Sequence, residues 1–160
     1  MRYAASLDSP LGPLLAVVEG DALVQLSLPA QRVARPPGAA DDSARFRHLR
    51  AELDAYFAGT LQAFSVPLAL NGTPFQQRVW ALLQTLPYGS TTTYGALADR
   101  LGDPGAAQAV GAANGQNPVA IVVPCHRVVG AGGALTGYAG GLEAKRTLLT
   151  LEAPPVGLFA

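Results

Sequence analysis

Two hydrophobic periodicities follow one another along this chain, and their order restricts the fold more than any other feature. Residues 2–28 carry short alternating or continuous apolar runs, 14–18 and 22–28, separated by Glu19-Gly20-Asp21. Small and polar residues at that point suit a hairpin turn. From about Ser43 the spacing becomes helical: Phe46, Leu49, Leu53, Tyr56 and Phe57 recur every three to four residues, with Arg45, Arg47, Arg50 and Asp54 facing away and Gly59 ending the run. Between them, residues 29–43 are rich in Pro, Ala and Gly without periodicity and predict a surface loop. Residues 64–70 predict an edge strand, because Pro67 forfeits a ladder donor. Asn71-Gly72 then marks a turn and a domain boundary.

Beyond that boundary the pattern is helical. Thr73 and Gln76 form a capping box with Pro74 at the first helical position; Phe75, Val79, Leu82, Leu83 and Leu86 make a buried face, and Pro87 stops the helix. A short helix is predicted over 93–101 and a second over 105–115, joined by Gly102-Asp103-Pro104. Such a pair is the sequence form of a helix-turn-helix, although most short helix pairs are only packing units. The second helix is built of small residues (Ala106, Ala107, Ala109, Gly111, Ala112, Ala113, Gly115), which allow close approach to another helix or to a nucleic-acid groove. Residues 119–123 predict a buried strand. A glycine-rich loop spans 130–141, and a last amphipathic helix spans 142–152 with Lys145-Arg146 exposed.

Composition narrows the function. The 160 residues suffice for one ordinary domain or two small ones, and 49% apolar with 14% charged residues excludes a chain disordered throughout. Eleven basic residues balance eleven acidic ones, which excludes the basic footprint of a non-specific DNA coat protein. The two sides of the boundary carry net charges of −1 and +1. The lone cysteine, Cys125, can form neither an internal disulfide nor a cysteine-rich zinc cluster. No apolar run is long enough to span a bilayer and the start has no continuous apolar stretch, so a soluble, cytoplasmic protein without membrane contact is expected.

A single cysteine after an apolar run is ordinarily a small buried hydrophobe. Here Pro124 places it at the end of an element, and His126 and Arg127 are potential positive partners for a thiolate, the attacking species. Neighbours in extended chain point to opposite faces, so a Cys125–His126 contact needs a local turn or a bridging water.

Pro124-Cys125-His126-Arg127-Val128 resembles the acceptor-cysteine motif of the O6-alkylguanine-DNA alkyltransferases, the methylated-DNA–protein-cysteine methyltransferases. The resemblance extends to Gly72-Thr73-Pro74-Phe75, Pro87-Tyr88-Gly89, Tyr94, Val110 to Asn114, Asn117-Pro118 and Thr136 to Leu142, and continues to Glu152. It implies an α+β fold, with a small RNase H-like N-terminal α/β domain over 1–71 and a winged helix-turn-helix domain over 72–160. It implies irreversible, single-turnover transfer of an alkyl group from O6 of guanine in double-stranded DNA to Cys125. The protein would act as a monomer from the minor groove, without metal or cofactor.

The resemblance also assigns roles. Cys125 is the nucleophile; His126, through a water and oriented by Glu152, takes its proton; Asn117 braces the turn. Tyr94 protonates the guanine at N3, and its ring crowds the phosphate so that the nucleotide rotates out. The carbonyls of Cys125 and Val128 accept the exocyclic amine, the Ala139 amide donates to O6, and Tyr138 lines the pocket. Thr93, Tyr94, Ala106, Ala107, Gln108, Ala109, Ala112 and Arg127 face DNA. Gln108 departs from the pattern, standing where the family normally has the arginine that fills the vacated stack. A damage sensor with weak transfer is therefore one alternative; a thiol hydrolase and a plain winged-helix regulator are the others. With no Cys and only His48 in 1–71, the zinc of some relatives is not expected.

Overall fold

The computed structural model describes residues 1–153. The last seven positions of the expected 72–160 domain lie outside the described residues. An antiparallel meander opens the chain, with β1 (Arg2–Leu7), β2 (Leu14–Glu19) and β3 (Ala22–Ser27) in that spatial order. Helix α1 (Arg47–Phe57), preceded by a 3₁₀ turn at Ser43–Phe46, covers one face. Leu14, Ala16, Val18, Leu23 and Leu26 on the sheet join Phe46, Leu49, Leu53 and Tyr56 on the helix. A smaller cluster of Ala4, Val17 and Val24 lies on the other face, partly covered by Ala39 and Ala69. The 29–43 segment is therefore more than a surface loop. Ala40 bridges Tyr3 in parallel, and the Arg35 guanidinium donates to the Ala4 and Ala39 carbonyls.

The outer edge of β3 organises the rest. A register shift between Val17 and Val18 leaves Val24 as an extra residue, so Leu23 and Leu26 present their backbone groups to the same side. Leu23 exchanges hydrogen bonds with Pro67 and Ala69, while Leu26 does so with Pro118 and Ala120. The expected edge strand at 64–70 thus reduces to one bridge at Leu68. Its neighbours Ser65 and Val66 donate their amides instead to the buried Glu52 carboxylate of α1. A carboxylate that takes two backbone donors substitutes for the missing ladder.

The second half contains α2 (Pro74–Leu83), β4 (Thr92–Thr93), α3 (Tyr94–Arg100), α4 (Ala107–Gly115), β5 (Val128–Val129) and α5 (Leu142–Glu152). The Thr73–Gln76 capping box forms as expected, and Thr93 caps α3 by accepting from the Ala96 amide. Trp80 anchors α2 to α4 by donating to the Ala113 carbonyl at 2.9 Å. A Cβ at Gly72 would fall 2.5 Å from the Trp80 ring, which explains glycine there. β4 pairs in parallel with β5, joining the helix pair to the segment after Cys125. One continuous core runs through both halves. No helix among the described residues is long and apolar enough to cross a membrane.

Two expectations are overturned here. Residues 119–123 form no strand: Val119 makes an isolated bridge to Leu26, and the chain then turns at once. The Ala120 carbonyl accepts from the Val122 amide at 2.8 Å across Ile121, whose φ of 71° is a strained left-handed value for a β-branched residue. A second tight turn follows at Pro124, where the Cys125 amide donates to the Val123 carbonyl at 2.8 Å. The run is apolar because it is packed between the halves, and burial alone does not distinguish a strand from a turn. Lys145, expected to be exposed, is fully buried, with its ammonium donating to the Val128 carbonyl at 2.6 Å and the Thr136 carbonyl at 2.8 Å.

Candidate active site

The double turn ends in a 3₁₀ turn, Cys125–Arg127, that faces three consecutive side chains into the interior. Asn117 clamps its approach: its amide donates to the Val123 carbonyl at 2.8 Å, and its oxygen accepts from the Val119 amide at 3.0 Å. Asn114 of α4, in addition, points its amide at the Cys125 carbonyl at 3.4 Å. This bracing keeps Cys125 at the wall of a cavity of about 300 Å³. Tyr94, Gly111, Asn114, Tyr138 and Ala139 form other parts of that wall. Volume and mixed lining suit one planar, polar ring system.

The next two residues of the turn, His126 and Arg127, enter a buried charged network. His126 Nε2 is 2.7 Å from Glu152 Oε2, and Arg127 reaches the same carboxylate through Nε at 2.7 Å to Oε1 and Nη2 at 3.0 Å to Oε2. Arg127 Nη1 also donates to the Leu86 carbonyl. The Tyr56 hydroxyl, from α1, donates to Glu152 Oε2 at 2.6 Å. Burial alone would raise the Glu152 pKa, but the His126 and Arg127 hydrogen bonds, His126 charge and Tyr56 donor bring it down to about 2. Burial holds His126 below its ordinary value despite the Glu152 contact. A neutral His126 that donates from Nε2 carries its lone pair on Nδ1, and that buried atom has no partner among the described residues.

Burial pushes the Cys125 thiol up, against the opposing pull of Asn117, Tyr138 and the Lys145 charge. The resting group is therefore a protonated thiol that needs a base. The Tyr138 hydroxyl is buried beside it, which raises its own pKa strongly.

Not every expected contact is available. Arg127 cannot face DNA, because its side chain is almost wholly buried and committed to Glu152 and Leu86. It is equally no partner for a thiolate, since its charge is spent on the carboxylate. The Val128 carbonyl already accepts the Lys145 ammonium and Val128 is not part of the cavity wall, whereas Ala139 is. Thr93 uses its hydroxyl as a helix cap. Gln108, Ala109 and Ala112 lie exposed on α4, with Ala106 and Ala107 half-buried at its start. Tyr56, Asn114 and Lys145 were not expected at the site. Asn114 stood within the recognised motif, but a tyrosine 69 positions away in sequence from Cys125 carried no signal beyond its helical spacing.

Comparison with known proteins decides the family. The model described as 6-O-methylguanine DNA methyltransferase, DNA binding domain, matches residues 74–154, and the one described as its ribonuclease-like domain matches residues 1–70. The chain belongs to the 6-O-methylguanine DNA methyltransferase family. A Mycobacterium leprae methylated-DNA–protein-cysteine methyltransferase is 50% identical over 157 residues, covering 95% of this chain and 93% of the relative. The solved Mycobacterium tuberculosis O6-methylguanine methyltransferase superposes with a TM-score of 0.87 at 48% identity, covering 100% of both chains. A structure of the Mycobacterium tuberculosis protein in complex with DNA gives the same TM-score at 49% identity, covering 99% of each chain. The family's two-domain fold is thus that of this molecule, with the sheet and α1 on the ribonuclease-like side and the helix pair on the DNA-binding side.

The network carries a pH signature. Glu152 is held below its ordinary value in the fold, so the stability it contributes is complete above about pH 4.5 and is lost as pH falls towards 2. His126 is a base with a lowered value; its contribution is complete above about pH 6.5 and also declines on acidification. The urea midpoint should accordingly fall from pH 7 to pH 3, most steeply below pH 4.5. A midpoint that stays flat across that interval would contradict the arrangement.

Proposed function

We propose that this protein reverses O6-alkylguanine damage in double-stranded DNA by accepting the alkyl group on Cys125, once per molecule. The observation that carries the reading is the placement of the only cysteine at the wall of a base-sized cavity, in the same 3₁₀ turn as a buried histidine paired with a carboxylate. A buried acceptor on His126 Nδ1 without a protein partner suits a water that relays the thiol proton. The thiolate sulfur then attacks the alkyl carbon; the S–C bond forms as the C–O6 bond breaks, and the electron pair is drawn into the purine. Tyr94, in the cavity wall, supplies a proton to N3 of the departing guanine. The products are a thioether and unmodified guanine.

Asn117 supports the reaction by bracing the cysteine turn, and Tyr138 and Ala139 by lining the base site. The Ala139 amide is the donor proposed for O6, and alanine there is harmless because the contact uses main chain. The exposed small face of α4 (Gln108, Ala109, Ala112) borders this cavity through Gly111 and Asn114, which suits close entry into a minor groove. A guanine inside a duplex reaches the cavity only by leaving the stack, at a few kcal/mol of unstacking. The reaction belongs where the chromosome is accessible, in the cytoplasm.

The test is intact mass after incubation with a duplex that contains O6-methylguanine. The protein should gain one CH2 unit, one equivalent per molecule, and Cys125→Ala should gain none. Tight binding without a mass change would favour a damage sensor, and multiple turnover a thiol hydrolase.

A further inference from the structure

Glu152 Oε2 is crowded by three donors: His126 Nε2, Arg127 Nη2 and the Tyr56 hydroxyl. The first two lie in the cysteine turn and move with it. Tyr56 belongs to α1, on the other side of the Asn71-Gly72 boundary, and is fully buried. Its ring is held edge-on by Phe57 at 5.2 Å and Tyr88 at 6.3 Å between centroids, so the hydroxyl direction is set by packing. We infer that Tyr56 is a positioning residue which holds the Glu152 carboxylate in the orientation that selects the His126 tautomer, so that the ribonuclease-like half takes part in activating Cys125.

The physical chain is short. A carboxylate at the end of a helix can rotate; two donors from one turn leave that rotation free to follow the turn. A third donor from an independently packed helix ties the carboxylate to the scaffold. The phenol also withdraws charge from Oε2, and therefore weakens the attraction between Glu152 and a protonated His126. The other groups that face this pair are Arg127 on its own turn, Lys145 on α5, and Tyr88 and Tyr138 from the adjoining loops. None of them supplies a second neutral donor to the carboxylate among the described residues.

The inference rests on the proposed function for its consequence but is tested without it. The chain has two histidines, and only His126 is buried, so proton NMR distinguishes its resonances. In Tyr56→Phe the His126 midpoint should move to higher pH. The acid limb of Cys125 modification by iodoacetamide, read as intact mass on the single cysteine, should move the same way. Phe57→Leu loosens the packing that aims the hydroxyl and should move both midpoints in the same direction by a smaller amount. Should Tyr56→Phe fail to fold, 3-fluorotyrosine incorporated at position 56 alone, a stronger donor, should move His126 in the opposite direction. An unmoved His126 in both proteins overturns the inference even if methyl transfer proceeds; a shifted His126 without methyl transfer sinks only the proposed function.

Discussion

Glu152→Ala should abolish useful methyl transfer and unfold the protein at a markedly lower temperature. The substitution removes the partner of three buried groups at once: His126, Arg127 and Tyr56. Arg127 is the costly one, because its guanidinium cannot lose its charge and keeps only the Leu86 carbonyl and the Tyr88 ring 5.7 Å away. Removing one partner of a buried pair costs about 3–5 kcal/mol. For a chain of this length that is a drop in Tm of roughly 6–20 °C. The single-turnover rate should fall by about 10²–10⁴, since His126 loses the group that orients it. Differential scanning calorimetry and quenched-flow transfer assays check the two parts separately. A variant with parental Tm would mean that Arg127 finds another partner; parental transfer at matched folded protein would remove Glu152 from the mechanism.

Gln108→Arg should strengthen binding to lesion-bearing duplex by roughly ten- to a hundredfold, the value of about 1–3 kcal/mol in one stacking or base contact. The side chain is exposed on α4, so the change adds a charge and a longer stem without disturbing the core. The effect should be confined to DNA. Stability should stay within about 0.5 kcal/mol of the parent, and the reaction of Cys125 with iodoacetamide should be unaltered. Fluorescence anisotropy on duplex with and without the lesion measures it. Equal affinity and equal repair rate for the two proteins would show that position 108 does not fill the vacated stack in this chain.

How much of this was legible in the sequence depended on whether a local signal existed. The hairpin, α1 and the Thr73 capping box follow from turn residues and spacing, which act within a few positions. The apolar run at 119–123 misled because its burial arises from the contact between halves; the bridge to Leu26 and the positive φ of Ile121 have no local signature. Lys145 and Arg127 misled for a related reason. Each looks like a surface cation until the chain supplies two carbonyls to one and a carboxylate to the other. The acceptor motif was readable, but only as a string of residue types.

The sequence by itself determined the order of elements, the caps and turns that start and stop the helices, and the chemical identity of the nucleophile, since one cysteine leaves no choice. The tertiary structure decided what state that thiol is in. Burial keeps it protonated, and the groups that can take its proton come from separate stretches of chain: the turn itself, the end of α5 and, through Tyr56, the first helix. Proton affinity depends on desolvation and on charges a few ångströms away, and those distances are set by packing between segments that are remote in sequence.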